Sequence, residues 1–135
     1  MSRRTVGAID TKRAMPPLRW PAILAGVALA AVAAVVSAAL LPPVPAAVAS
    51  FFGIFVSGYL AGKLAPAARV YHGALVGAGY VVCEALGIAP AIGPSADPVT
   101  DTVRVIATDA FLIAAAALGG WAARLWSSSD MGTGR

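Results

Sequence analysis

Residues 20–41 read WPAILAGVALAAVAAVVSAALL, twenty-two positions without a charged side chain. At 1.5 Å per residue a helix of that length covers about 33 Å, enough for a hydrocarbon core of roughly 30 Å. A soluble amphipathic helix has a polar face, and this stretch has none. Pro42, Pro43 and Pro45 stop it. Three further apolar stretches follow, at about 46–64 (ending before Pro66), about 70–88 (with Pro90 beyond) and about 103–126. The fourth is preceded by a helix-start signature: Asp97 as N-cap, Pro98 at the first helical position and Asp101 in the first turn, where acids suit the helix dipole.

The pattern predicts an all-α fold, an integral membrane four-helix bundle over residues 20–126. A basic tail, 1–19, precedes it and a flexible tail, 127–135, follows. Composition agrees. Of the 135 residues, 59% are hydrophobic and 12% charged, against about 45–50% and 25% in soluble domains.

Charge sets the orientation. Arg3, Arg4, Lys12, Arg13 and Arg19 precede the first stretch, Lys63 and Arg69 sit between the second and third, and Arg124 and Arg135 close or follow the fourth. The loops 42–45 and 89–102 carry no Lys or Arg, and Arg104 alone marks the other edge. The positive-inside rule then gives N-in, C-in, with a plasma membrane as the expected location. Trp20, Tyr71, Trp121 and Trp126 fall at the same interface as the basic residues. The net charge of +4 is spread along span ends, which points to anionic lipid headgroups and away from nucleic acid. A signal peptide fits poorly, because its apolar core has 7–15 residues and this one has 22 behind a 19-residue leader.

The third stretch is the weakest. Glu84 costs about 2.5 to 3.5 kcal/mol at a bilayer centre, while Val70, Leu75, Val76, Val81, Val82, Leu86 and Ile88 return about 3 in sum. Glu84 sits about 6 Å from the outer end, where the cost falls, and the second stretch, charged only at Lys63 by its end, carries its neighbour in as a hairpin.

Small residues four apart mark packing faces. Gly58 and Gly62 form one G-x-x-x-G pair and Gly73 and Gly77 another, while Gly26, Ala30 and Ala34 continue the theme. Such faces let helix backbones approach in lipid, either inside the bundle or between copies in a homo-oligomer or larger membrane complex. Gly73, Gly77, Tyr80, Glu84 and Gly87, spaced 4, 3, 4 and 3, share one face of a continuous third helix.

Ionisable groups inside spans are candidates for function. Glu84, with Tyr80 one turn before it, and Asp109 on the fourth helix lie at similar depth, with Arg104 near the same rim. Two acids at one depth can share a proton or coordinate a cation. The structural alternative, which the reading favours, has Glu84 pairing with Arg104 and Asp109 bonding Thr108, Tyr80 or water.

Nothing else carries chemistry. Gly58-x-x-x-Gly62-Lys63 is one residue short of a phosphate loop and lacks its hydroxyl residue. Gly73-x-x-x-Gly77-x-Gly79 follows no strand. His72, the single histidine, reads as an interfacial side chain, and Cys83, the single cysteine, as a small buried apolar one. Ser57, His72 and Asp109 fall at different depths, so no catalytic set forms. The expectation is no enzyme, no metal and no cofactor.

Phe55-Val56-Ser57-Gly58-Tyr59-Leu60-Ala61-Gly62-Lys63, followed by Tyr71-His72-Gly73-Ala74-Leu75-Val76-Gly77, resembles the central hairpin of small uncharacterised prokaryotic membrane proteins. Those pair a G-Y-x-A-G second helix with an H-G-A-L-x-G third helix across a short basic turn. The resemblance covers about 30 residues. It implies a four-helix integral membrane fold and assigns no activity.

Overall fold

The computed structural model describes residues 17–65, 67–90 and 98–129, the side chains of 98–101 and 127–129 excepted. Residues 1–16, Pro66, residues 91–97 (Asp97 among them) and residues 130–135 lie outside this set. The described residues form four helices: α1 (Trp20–Leu40), α2 (Pro43–Leu64), α3 (Arg69–Ala85) and α4 (Pro98–Ser129). Two helices, α1 and α2, and the Thr102–Trp126 part of α4 are each long and apolar enough to cross a membrane. The 17 residues of α3 cover about 26 Å, and it is not among those three.

The helix ends depart from the sequence reading in physically simple ways. Pro42 forces Leu41 into extended backbone (φ −119°, ψ 150°), so α1 stops at Leu40. The segment 42–45, expected as a loop, is instead the N-cap and first turn of α2. The Ala46 amide gives the first turn-closing bond, to Pro42 O at 2.9 Å. The preceding amides have no partner in any helix, so Pro43 and Pro45 lose nothing by lacking theirs. At the other end, α4 continues through Ser129, three residues past the expected limit.

The third helix ends sooner than expected. The Gly87 amide bonds Glu84 O (2.9 Å) and the Ile88 amide bonds Cys83 O (2.8 Å), the paired bonds of a Schellman cap. Gly87 has φ +71°, a left-handed conformation that costs glycine no Cβ clash. The cap removes Gly87 from the helical face expected to carry it. The chain turns back there, which buries Ala89 and brings Pro90 O within 3.2 Å of the Tyr80 hydroxyl, its hydrogen-bond donor.

The helices pack as a rhombus. α2 and α3 lie on the short diagonal, each touching all three other helices, while among the described residues α1 and α4 do not meet. α2 and α4 run parallel: Gly58 abuts Ala116, and Gly62 abuts Gly120 and Ala123. α3 and α4 run antiparallel: Gly73 abuts Ala116 and Gly120, and Gly77 abuts Leu112 and Ile113. Both G-x-x-x-G pairs therefore press against one stripe of α4, made of Ala116, Gly119, Gly120 and Ala123. On the opposite side Gly26 rests against Val76, Ala61 and Ser57 O.

Size sorts inversely to burial. The interior holds Ala30, Ala34, Ala61 and Ala116 around a few larger side chains, Ile54, Val76, Tyr80 and Leu112. The exterior holds Leu24, Val32, Val48, Phe52 (69% exposed), Val103 (69%), Phe111 and Leu118. In water this arrangement would forgo the burial of large apolar groups, worth about 1.5–3 kcal/mol each. In lipid it costs nothing, and small interfaces supply the association.

Candidate functional site

Two polar clusters occupy opposite ends of the bundle. The acid-bearing end is built where α3 stops and α4 begins. On α3, Tyr80 is fully buried and Glu84 half-buried with its Oε2 atom enclosed; on α4, Asp109 is half-buried and Arg104 exposed. The antiparallel register of α3 and α4 continues from Gly77 on Leu112–Ile113, which brings Asp109 level with Tyr80–Val81 and Glu84 level with Val105–Ile106. Asp109 thus sits about one turn deeper than Glu84, so the two acids expected at one depth straddle a helical turn. Tyr80 and Asp109 share the layer that contains Leu112 and the edge-to-face pair Phe51–Phe111 (centroids 5.0 Å apart).

The Tyr80 hydroxyl is committed to Pro90 O, a use that no sequence spacing revealed. Its ring fills the bundle centre with Ile54, Ala30 and Leu112, so the axis at this level is packed with side chains. Among the described residues, no three His, Cys, Asp or Glu groups gather. Cys83 is half-buried and a free thiol.

The other end is organised by His72 and Arg69. His72 is fully buried, a correction to the interfacial side chain expected of it. Its Nδ1 meets Ala68 O at 3.1 Å, and its Nε2 accepts the Arg19 backbone N–H at 3.1 Å. A neutral ring with its proton on Nδ1 satisfies both contacts. Ala68, in the left-handed region at φ 53°, turns its carbonyl so that it also accepts the His72 amide at 3.1 Å. Such a conformation costs a non-glycine residue on the order of 1–2 kcal/mol. The Arg69 guanidinium reaches in two directions, Nε to Ala65 O (3.4 Å) and Nη1 to Ala123 O (3.0 Å). These contacts tie the start of α1, the α2–α3 turn and the last third of α4 into one junction. Lys63 stays exposed, its Nζ 6.0 Å from the Tyr59 ring centroid.

Sequence reasoning missed the α4 stripe and the His72–Arg19 bond. The stripe was readable, since Ala116, Gly119, Gly120 and Ala123 repeat at spacings of three and four. The bond was not, because its acceptor and donor lie 53 residues apart. In the middle of α2, Ser57 bonds its own Gly53 carbonyl at 2.7 Å, a use that absorbs its hydroxyl. Comparison of the chain with protein-family models, curated proteins and solved structures finds no match.

Proposed function

We propose that this chain is a four-span integral membrane protein, N-in and C-in, that works without catalysis as a structural or accessory subunit of a prokaryotic-type plasma membrane. The observation that carries this reading is the inverted sorting of side chains, with Phe, Leu and Val outward and Gly and Ala inward. That exterior suits acyl chains and the apolar helices of partner proteins. Both glycine pairs are engaged within the chain by α4, so self-association or docking to a larger complex would use the exposed apolar faces. The short α3 suits a span shielded on several sides by its neighbours, since it packs against all three other helices.

The topology has a direct test. Reporter fusions at residue 5, at residue 67 and at the C-terminus should read cytoplasmic, and one at residue 95 external. A cytoplasmic signal at 95 would sink the four-span arrangement.

A second reading is a proton or cation site at the acid-bearing end, favoured by the enclosed Oε2 of Glu84 beside buried Tyr80. Liposome flux carried by the wild-type chain and reduced at least tenfold by Glu84→Gln or Asp109→Asn would support it. Flux that both substitutions leave unchanged removes it. The packed axis around Tyr80, Ile54 and Leu112 makes the structural reading the better supported of the two.

A further inference from the structure

The seam between α1 and α2 opens, at the end bearing Arg19 and Lys63, into a groove of about 190 Å³. Ala22, Ala25 and Ala61 line it where the helices meet, Leu29 and Leu60 bound it, and Lys63 stands at its end. The groove exists because α1 repeats small residues at spacings of three and four down this edge, so no long side chain fills the seam. From Ala22 to Leu29 it runs about 11 Å, most of one leaflet's share of a roughly 30 Å hydrocarbon core.

Its electrostatics are one-sided. Lys63 is exposed. α1 and α2 are antiparallel, with Gly26 on Ser57 and Ala61 and Gly53 on Ala33, a register that brings Arg19 level with the end of α2. Among the described residues the carboxylates, Glu84 and Asp109, sit at the opposite end of the bundle. An apolar slot that ends at an exposed ammonium matches a molecule with a hydrocarbon tail and an anionic head.

We propose that this groove holds one acyl chain of an anionic phospholipid, whose phosphate meets the Lys63 ammonium, with Arg19 adding to the attraction. The inference rests on the bilayer reading above and assigns the groove to a lipid in the leaflet that faces the basic tail. Its contact is charge-assisted, N⁺–H to phosphate oxygen, with Lys63 acting as a point charge.

The test is native mass spectrometry of the full chain released from micelles doped with equal phosphatidylglycerol and phosphatidylcholine of identical acyl chains. Wild type should retain phosphatidylglycerol about fivefold over phosphatidylcholine, the size expected for one cation near an anionic surface. Lys63→Gln should bring that ratio below twofold without lowering total bound lipid, and Lys63→Arg should preserve it. Ala25→Phe, at an exposed groove position that leaves the bundle centre untouched, should lower retention of both lipids. A Lys63→Gln chain that keeps the fivefold preference overturns the proposal, as does an Ala25→Phe chain that retains lipid like wild type. A lipid-free dimer in place of the adduct also overturns it and gives the groove to a second copy. Carbonate washing of membranes separates this from the broader reading. A chain that stays in the pellet yet shows no preference defeats the lipid site alone, whereas a chain released into the wash defeats bilayer insertion itself.

Discussion

Gly119→Ala lowers the stability of the bundle by about 3 kcal/mol in micelles, whereas Gly79→Ala, the same methyl on the next helix, stays within about 1 kcal/mol of wild type. The contrast follows from what each methyl would meet. At Gly119 a Cβ would collide with Phe55 O and stand 2.8 Å from Tyr59 N, backbone atoms fixed by the α2 hydrogen-bond ladder. The only relief is to move α4 away from α2, which forfeits the contacts of Gly58, Gly62, Ala116 and Gly120 together. Overpacking a close interface costs about 1–3 kcal/mol, and a parallel helix pair held by several glycines belongs at the upper limit. At Gly79 the nearest obstacle is Val27 Cγ2 at 2.6 Å, the end of a side chain on the rim of the α1–α3 contact. Clearing it takes a shift of a β-branched side chain that a helix holds stiffly and moves no backbone, and the gain in helix propensity, about 0.5–1 kcal/mol, offsets part of the cost. Unfolding titrations monitored by circular dichroism measure both, and equal midpoints for the two variants would show that α4 does not seat as described.

The second large effect is expected at His72. His72→Ala should cost about 3 kcal/mol, because it removes a fully buried ring and strips the Arg19 amide of its acceptor. Loss of packing alone would spread its effect over the neighbouring helices. Loss of this acceptor should instead concentrate at the start of α1, so hydrogen exchange at residues 19–23 should accelerate more than at any other helix start. His72→Gln, which keeps an acceptor and a donor, should recover part of the stability. Uniform acceleration across α1, α3 and α4 would contradict the role assigned to the Nε2 contact.

The helices were legible in the sequence because an apolar run of some twenty residues has few alternatives to a helix. Their ends were less so. Pro42, Pro43 and Pro45 read as a break, yet two of the three belong to a first turn whose amides are idle. Gly87 fell at the spacing of a helical face, and only the cap bonds from Gly87 and Ile88 reveal it as a stop. The glycine pairs announced close packing, but pairwise spacing names no partner. It took the arrangement of all four helices to show both pairs meeting one stripe on α4. His72 was read by its position near a helix end, where polar residues usually meet water or headgroups. Its partners depend on α1 starting beside α3, a relation no local pattern encodes. The acid-bearing end was named in advance by Glu84, Asp109 and Tyr80, whereas the one-turn offset between the acids came only from the α3–α4 register.

The rhombus also dictates an order of events on the ribosome. α2 is synthesised with Gly58 and Gly62 forming a smooth strip whose mate, Ala116 to Gly120, is still more than fifty residues from being made. Gly73 and Gly77 wait for the same mate. Until α4 arrives, the nascent chain presents two unmatched glycine strips, the kind of surface that other membrane helices can pair with by mistake. A message truncated before codon 98 would yield three helices permanently in that condition. α4 is therefore the helix that closes this bundle, and quality-control proteases that recognise incomplete membrane bundles would have a defined target in any product that lacks it.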